Sequence, residues 1–253
     1  MTMGHVLGVD VGGSGIKGAL VDLAIGDFVS DRVRIPTPKK STPGNCAEVI
    51  GRIVEEFADR VGSGPVGVTV PAPVVHGTIP LIANLDKSWT GLAATAFLRE
   101  RLGRPIVLIN DADAAGLAEV YFGAAKDVPG VVIVLTLGTG IGSAIINNGV
   151  LLPNAELGHV ELDGFDAESR ASSGVKEKED LSYEAWAKRL DRYLGHIQML
   201  FSPDLFVIGG GISKNHKQFL PLLHLRTPIV PAQLRNRAGI VGAAWAAANL
   251  PAA

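Results

Sequence analysis

Cysteine is almost missing from this sequence. Of 253 residues only Cys46 carries a thiol. That excludes an internal disulfide framework and a zinc site built from several cysteines, and it fits a reducing compartment. Long apolar runs are missing as well: no stretch reaches roughly 18 residues, so no transmembrane helix is expected. The start, MTMGHVLGVD, lacks a basic n-region and runs straight into a strand pattern, so no signal peptide is expected and the default location is the cytoplasm. Excess charge is missing too. The formal net charge is -2, which argues against a general nucleic-acid binder. Acids are absent from Leu205 to the end, where Lys214, Lys217, Arg226, Arg235 and Arg237 stand alone, whereas residues 154–180 are crowded with Glu156, Glu161, Asp163, Asp166, Glu168, Glu177, Glu179 and Asp180. Such asymmetry either faces an anionic ligand with a basic surface or reflects chance clustering on solvated faces.

What remains is ample core material. Hydrophobic residues make up 47%, a globular composition, and at about 150 residues per domain the length suits one large or two small domains. Apolar runs predict strands at residues 5–10, 17–22, 28–35, 66–70, 106–109, 130–137, 143–147 and 205–208. Helical periodicity predicts helices at 43–61, 91–102, 112–122, 182–201 and 238–249. Asp113 is placed to help cap the third of these and to complement its dipole, and Asn147-Asn148-Gly149 reads as a hairpin turn. Alternating strands and helices argue for an α/β protein with layered sheets.

Two strands end in polar, glycine-rich turns: Gly12-Gly13-Ser14-Gly15 after Asp10, and Gly138-Thr139-Gly140-Ile141-Gly142 after Thr136. Each turn leads into another strand. In a dinucleotide fingerprint or a P-loop the glycines open a helix, so both readings are demoted. A strand–turn–strand glycine hairpin can still grip phosphate, because glycines let backbone N–H groups approach an anion. Ser14, Thr139 and Lys17 add donors, and Asp10 stands where a carboxylate can hold hydrated Mg²⁺. The plain alternative is two tight structural turns, weakened by a third glycine turn at Gly209-Gly210-Gly211.

The pattern Asp10-x-Gly12-Gly13-Ser14-x-x-Lys17 resembles the first phosphate motif of the sugar kinase, actin and heat-shock ATPase superfamily. Thr136-Leu137-Gly138-Thr139-Gly140 resembles its second, and Gly209-Gly210-Gly211 its nucleotide-side motif. Asn110-Asp111-Ala112 and Glu156-Leu157-Gly158-His159 resemble the ROK family of sugar kinases and repressors within it, and the stretches NDADAAGLAE, LTLGTGIGSA, PNAELGHVELDG, FSPDLFVIGGGISK and LRTPIVPA resemble its polyphosphate-using glucokinase and glucomannokinase branch. The ordered motifs span nearly the whole chain. The resemblance implies two ribonuclease-H-like (actin/hexokinase-type) α/β domains with an interdomain cleft: a smaller one from residues 1–110 plus the C-terminal helix at 238–253, and a larger one from 111–237.

For the site, the resemblance implies Asp111 as catalytic base. The bare alternative is an N-cap, a job that Asp113 can do equally well. Asn84, Asn110, Asp111, Glu156, His159 and Glu168 become glucose ligands; Glu168 enters through its spacing to Ser172 and otherwise reads as a solvated loop acid. Asp10, Gly12, Gly13, Ser14, Lys17, Thr136, Gly138, Thr139, Gly140, Gly209, Gly210, Gly211 and Lys214 become phosphate or nucleotide ligands. Mg²⁺ is expected on Asp10 through water. No zinc is expected: the cysteine-rich segment that follows the histidine in typical members is absent, so His159 should bind sugar. Ala72, between Pro71 and Pro73 where the family usually has glycine, is expected to narrow the sugar pocket or shift its loop.

The implied reaction moves a terminal phosphoryl group to the C6 hydroxyl of glucose. Inorganic polyphosphate and ATP are the expected donors, with polyphosphate following a basic track from Lys214 through Lys217, Arg226 and Arg235. These side chains do not supply the apolar walls that adenosine needs. The alternatives are a strictly ATP-dependent glucokinase or glucomannokinase and a non-catalytic sugar-binding regulator; with nine residues before Asp10, no DNA-binding helix-turn-helix is expected there. A homodimer, without nucleic-acid or membrane partners, completes the expectation.

Overall fold

The computed structural model describes residues 5–251. The first four residues of the stretch read for a leader, and the last two of the 238–253 segment, lie outside it. The chain divides into two compact units, Met1–Ala114 with Arg237–Ala253, and Ala115–Asn236.

The first unit contains β1 (Val6–Gly12), β2 (Gly15–Asp22), β3 (Asp27–Phe28), β4 (Val33–Ile35), α1 (Pro43–Glu56), α2 (Ala58–Val61), β5 (Val66–Val70), α3 (Ala94–Leu102) and β6 (Ile106–Asn110). Its sheet runs β3-β2-β1-β5-β6, with β4 also on β2. β1 is antiparallel to β2 and parallel to β5, and β5 is parallel to β6. β5 and β6 are buried throughout, as parallel strands covered on both faces must be. Where a single strand was expected over 28–35, two short ones form. Ser30 Oγ accepts the Leu20 N–H (3.0 Å), a side chain taking a ladder bond, and the strand bends there. The expected 43–61 helix breaks at Phe57 (φ -111°, ψ 12°), which turns its ring into the core. The expected 91–102 helix starts only at Ala94, because Gly91 has φ +77°, outside the helical region.

α4 (Asp111–Phe122) follows β6. The second unit then holds β7 (Val131–Leu137), β8 (Ile141–Asn147), β9 (Val150–Leu152), β10 (Glu161–Leu162), β11 (Phe165–Asp166), α5 (Glu168–Ala171), α6 (Ser173–Lys178), α7 (Tyr183–Phe201), β12 (Leu205–Gly209) and β13 (Ile229–Pro231). Its main sheet runs β13-β12-β7-β8-β9. One face packs on Trp186, Leu190, Leu194 and Ile197 of α7. Asn148 and Gly149 both have positive φ and close the β8–β9 hairpin as expected. Finally α8 (Ala238–Asn249) returns to the first unit. It lies so close to β5 that a Cβ on Gly67 would stand 1.8 Å from the Ala243 carbonyl oxygen. The small residues of α8 and the glycine of β5 are one packing device.

Counted from its first strand, each sheet has the same plan. An antiparallel meander lies on one side (β1-β2-β3; β7-β8-β9) and two parallel strands on the other (β5-β6; β12-β13). The duplicated ribonuclease-H-like topology expected from the motifs is the fold observed. Each glycine-rich turn joins the first two strands of its unit. Among the described residues no helix is long and apolar enough to cross a membrane.

Candidate active site

In the first unit Asp10 sits in a row across the sheet, opposite Lys17 on β2 and Thr69 on β5. Lys17 Nζ donates to Asp10 Oδ2 (3.0 Å) and Thr69 Oγ1 donates to Asp10 Oδ1 (2.9 Å). Each carboxylate oxygen has a second lone-pair direction left, and the side chain keeps 23% exposure. That donor set fits a hydrated Mg²⁺ held through water, not a cage of direct protein ligands. The turn itself is Gly13–Ser14, with Gly12 opposite Gly15. Its glycines leave room: a Cβ on Gly15 would meet the Arg34 guanidinium at 3.0 Å. Thr37 Oγ1 donates to the Gly12 carbonyl (2.5 Å) and Arg34 donates to that of Ser14 (3.2 Å). The Asn84 carbonyl oxygen lies 3.4 Å from where a Gly13 Cβ would be, so the exposed Asn84 borders the same turn. Its loop is anchored by Ser41, which receives the Asp86 N–H and the Trp89 indole N–H.

At the end of β6 Asn110 caps α4. Asn110 Oδ1 accepts the N–H groups of Ala112 (2.8 Å) and Asp113 (3.1 Å). Asp113 stands in the first turn of α4 as expected, with its N–H capped by Asn110 and its carboxylate buried. Asn110 is itself buried and its oxygen is committed, which narrows any sugar contact to its amide NH₂. Asp111, half-buried, opens the helix. Ala72 is buried in the core of the first unit.

In the second unit the glycine turn is held from its own side. Gly174 N–H and Ser173 Oγ both donate to the Gly138 carbonyl (2.8 and 3.0 Å). Ile141 N–H donates to Glu168 Oε2 (2.9 Å), and a Cβ on Gly140 would lie 2.3 Å from that oxygen. Glu168 is therefore no solvated loop acid. It opens α5, and half of its carboxylate braces the turn. Gly210 (φ +81°) brings the third glycine turn against Leu137.

His159 Nδ1 donates to Asp166 Oδ2 (2.8 Å), and Asp166 Oδ1 accepts the Glu168 N–H (3.2 Å). Asp166 is thus a positioning residue missed in the sequence. Its signal was the Asp163-Gly164 turn of the β10–β11 hairpin. The Asp166 hydrogen bond raises the pKa of His159, with Glu168 and Glu156 reinforcing it against partial burial. Glu156 reaches solvent, yet desolvation by the surrounding protein pushes its pKa up; His159 works against that shift and Glu168 with it. Ligand atoms of His159, Asp166 and Glu168 lie within 4.8 Å of one another, a spacing a cation can occupy. Here hydrogen bonds inside the cluster and to Ile141 use it. The same unit holds a groove of about 440 Å³ walled by Ala124, Val230, Pro231 and Ala232, with Ser213, His216, Gln233 and Arg235 at its polar edge. Apolar walls beside Arg235 thus come from other residues than the basic side chains. Lys214 and Lys217 are exposed on the 3-10 turn Gly211–Gln218.

Residues 6–178 match the sequence pattern of the ROK family. The chain belongs to the ROK family. It is 52% identical over 246 residues to the polyphosphate glucokinase of Mycobacterium tuberculosis, covering 97% of this chain and 92% of that one. The inorganic polyphosphate/ATP-glucomannokinase of an Arthrobacter strain superposes with a TM-score of 0.91 at 52% identity, covering 97% and 98% of the two chains. A ROK glucokinase of Streptomyces griseus, solved with glucose and AMPPNP, gives 0.80 at 25% identity over 95% and 98%.

Proposed function

We propose that this ROK protein is a polyphosphate–glucose phosphotransferase. It transfers a terminal phosphoryl group to the C6 hydroxyl of glucose, with ATP as a second donor. The observation that carries this reading is the 52% identity to a polyphosphate glucokinase over nearly the full length of both chains. The apolar-walled groove favours ATP as an additional donor, because a purine base needs such walls. A homodimer, cytoplasmic action and Mg²⁺ accompany the reading as the family resemblance implies.

In this mechanism Asn84, Asn110, Glu156, His159 and Glu168 hold sugar hydroxyls. Glu156 and the free oxygen of Glu168 accept. His159, its Nδ1–H committed to Asp166, donates through Nε2–H when protonated. Asp111 takes the O6 proton as O6 attacks phosphorus in line; the O6–P bond forms and the bond to the rest of the phosphate chain breaks. Lys17 and the backbone N–H groups of Gly12, Gly13, Ser14, Thr136, Thr139 and Gly140 stabilise the charge on the transferring group, in a turn that the Gly138 N–H closes by donating to the Gly140 carbonyl (3.0 Å). Gly209, Gly210, Gly211 and Lys214 serve the leaving chain. Mg²⁺, held through water on Asp10, would neutralise phosphate charge when bound.

The test is Asp111→Asn. Expected is a fall in kcat of about 10²–10⁴, the scale of a lost general base, with glucose affinity within a few-fold of wild type. Turnover within tenfold of wild type would remove Asp111 from this role.

A further inference from the structure

The basic pair Lys39-Lys40 and the cation Arg34 stand outside the site built so far, yet all three belong to the segment that wraps the first glycine turn. β4 pairs with β2 so that Arg34 lies opposite Lys17, which lies opposite Asp10. Directly opposed residues share a sheet face, so the two cations stand side by side. They bracket the turn. Lys17 Nζ lies 3.9 Å from the Cβ position of Gly12 and Arg34 Nε 3.0 Å from that of Gly15. Their partners differ in kind. Lys17 is paired with the Asp10 carboxylate. Arg34 donates only to a neutral carbonyl, Ser14 O, and among the described residues no carboxylate oxygen lies within 4.0 Å of its guanidinium. Beyond it, Thr37 ties the segment to the Gly12 carbonyl, and Asn45 Nδ2 donates to the Lys40 carbonyl (2.8 Å). The chain therefore carries exposed Lys39 and Lys40 on from the same turn.

We propose that Arg34, extended by Lys39 and Lys40, is a binding site for the inorganic polyphosphate chain on the first unit. This rests on the donor reading above. A guanidinium fork is matched to phosphate oxygens. A linear polyanion engages successive cations, whereas the three phosphates of ATP end at a base that the apolar groove of the second unit suits. Arg34 is thus a donor-specificity residue: it favours the polymer over the nucleotide, and increasingly so as the polymer lengthens.

The experiment measures KM for long-chain polyphosphate and for ATP, each over a range of salt. It compares wild type, Arg34→Gln, Arg34→Lys and the double variant Lys39→Gln/Lys40→Gln. Expected for Arg34→Gln is a rise in polyphosphate KM of about tenfold or more, the scale of a lost charge-assisted hydrogen bond, and less than about threefold for ATP. The slope of log KM against log salt should flatten for polyphosphate by about one per cation removed. Arg34→Lys should keep the slope and lose part of the affinity. If Arg34→Gln proves unfolded, Arg34→Lys and the lysine double variant carry the same comparison. Equal KM changes for both donors at an unchanged salt slope would overturn the site and leave Arg34 as a support for the Ser14 turn. A wild-type protein inert with polyphosphate would instead overturn the donor reading itself.

Discussion

Glu156 and His159, the proposed sugar ligands, have pKa values moved in the same direction for different reasons. Desolvation raises Glu156; the hydrogen bond to Asp166 raises His159. A raised folded-state pKa means that the group favours folding below its unfolded value, about 4.3 for Glu and 6.5 for His, and that this contribution is lost as pH rises through the folded value. Glucose affinity should follow the same states. In the proposed site Glu156 accepts a hydroxyl most strongly when ionised, so glucose Kd should rise on acidification starting above the ordinary carboxylate range, and Glu156→Gln should remove that limb. Asp166→Asn should return His159 toward its ordinary pKa, so that the alkaline loss of glucose affinity sets in at lower pH. A Kd profile identical to wild type would contradict the Asp166–His159 pairing. Direct titration of binding separates these groups from Asp111, whose proposed role is in turnover. Cys46 is fully buried and burial pushes its thiol up to about 11, with Asp86 adding to the shift. Native protein should therefore react with a thiol reagent only on unfolding.

Elements put these residues in place, and two of them depend on single side chains. Glu119 of α4 is buried and accepts the N–H groups of Ala124 (2.8 Å), Gln233 (3.0 Å) and Leu234 (2.7 Å). It thereby pins the segment after β13, beside the groove. Glu119→Ala leaves buried donors unpaired and should cost about 3 kcal/mol or more in denaturant unfolding; a change under about 1 kcal/mol would show that water replaces the carboxylate. Gly140→Ala drives a methyl into Glu168 Oε2. It should cost about 1–3 kcal/mol and lower kcat with both donors, because the turn and a sugar ligand move together. At this scale the sequence was readable where a strong period ran without interruption: α7, β5 and α8 lie within a residue of their expected bounds. It was unreadable where a side chain replaces backbone bonding, as Ser30 does between β3 and β4, and in the short β10–β11 and α5 elements, too brief to show a period.

For the whole molecule the two glycine hairpins already announced a duplicated plan, because each joins strand to strand, and the duplicated sheet order follows from it. The family motifs named Asp10, Asp111, Glu156 and His159. They did not name Thr69, Asp166 or Arg34. Those residues matter through register and hairpin geometry: Thr69 sits in an unbroken apolar run, and Arg34 joins Lys17 only because β4 pairs with β2. The polyphosphate donor reading is tested by the initial rate of glucose 6-phosphate formation by nucleotide-free protein with Mg²⁺, glucose and inorganic polyphosphate as the sole phosphoryl source, beside the same assay with ATP. Expected is turnover with polyphosphate alone, rising with chain length, and turnover with ATP. Turnover with ATP and none with polyphosphate of any length would contradict it.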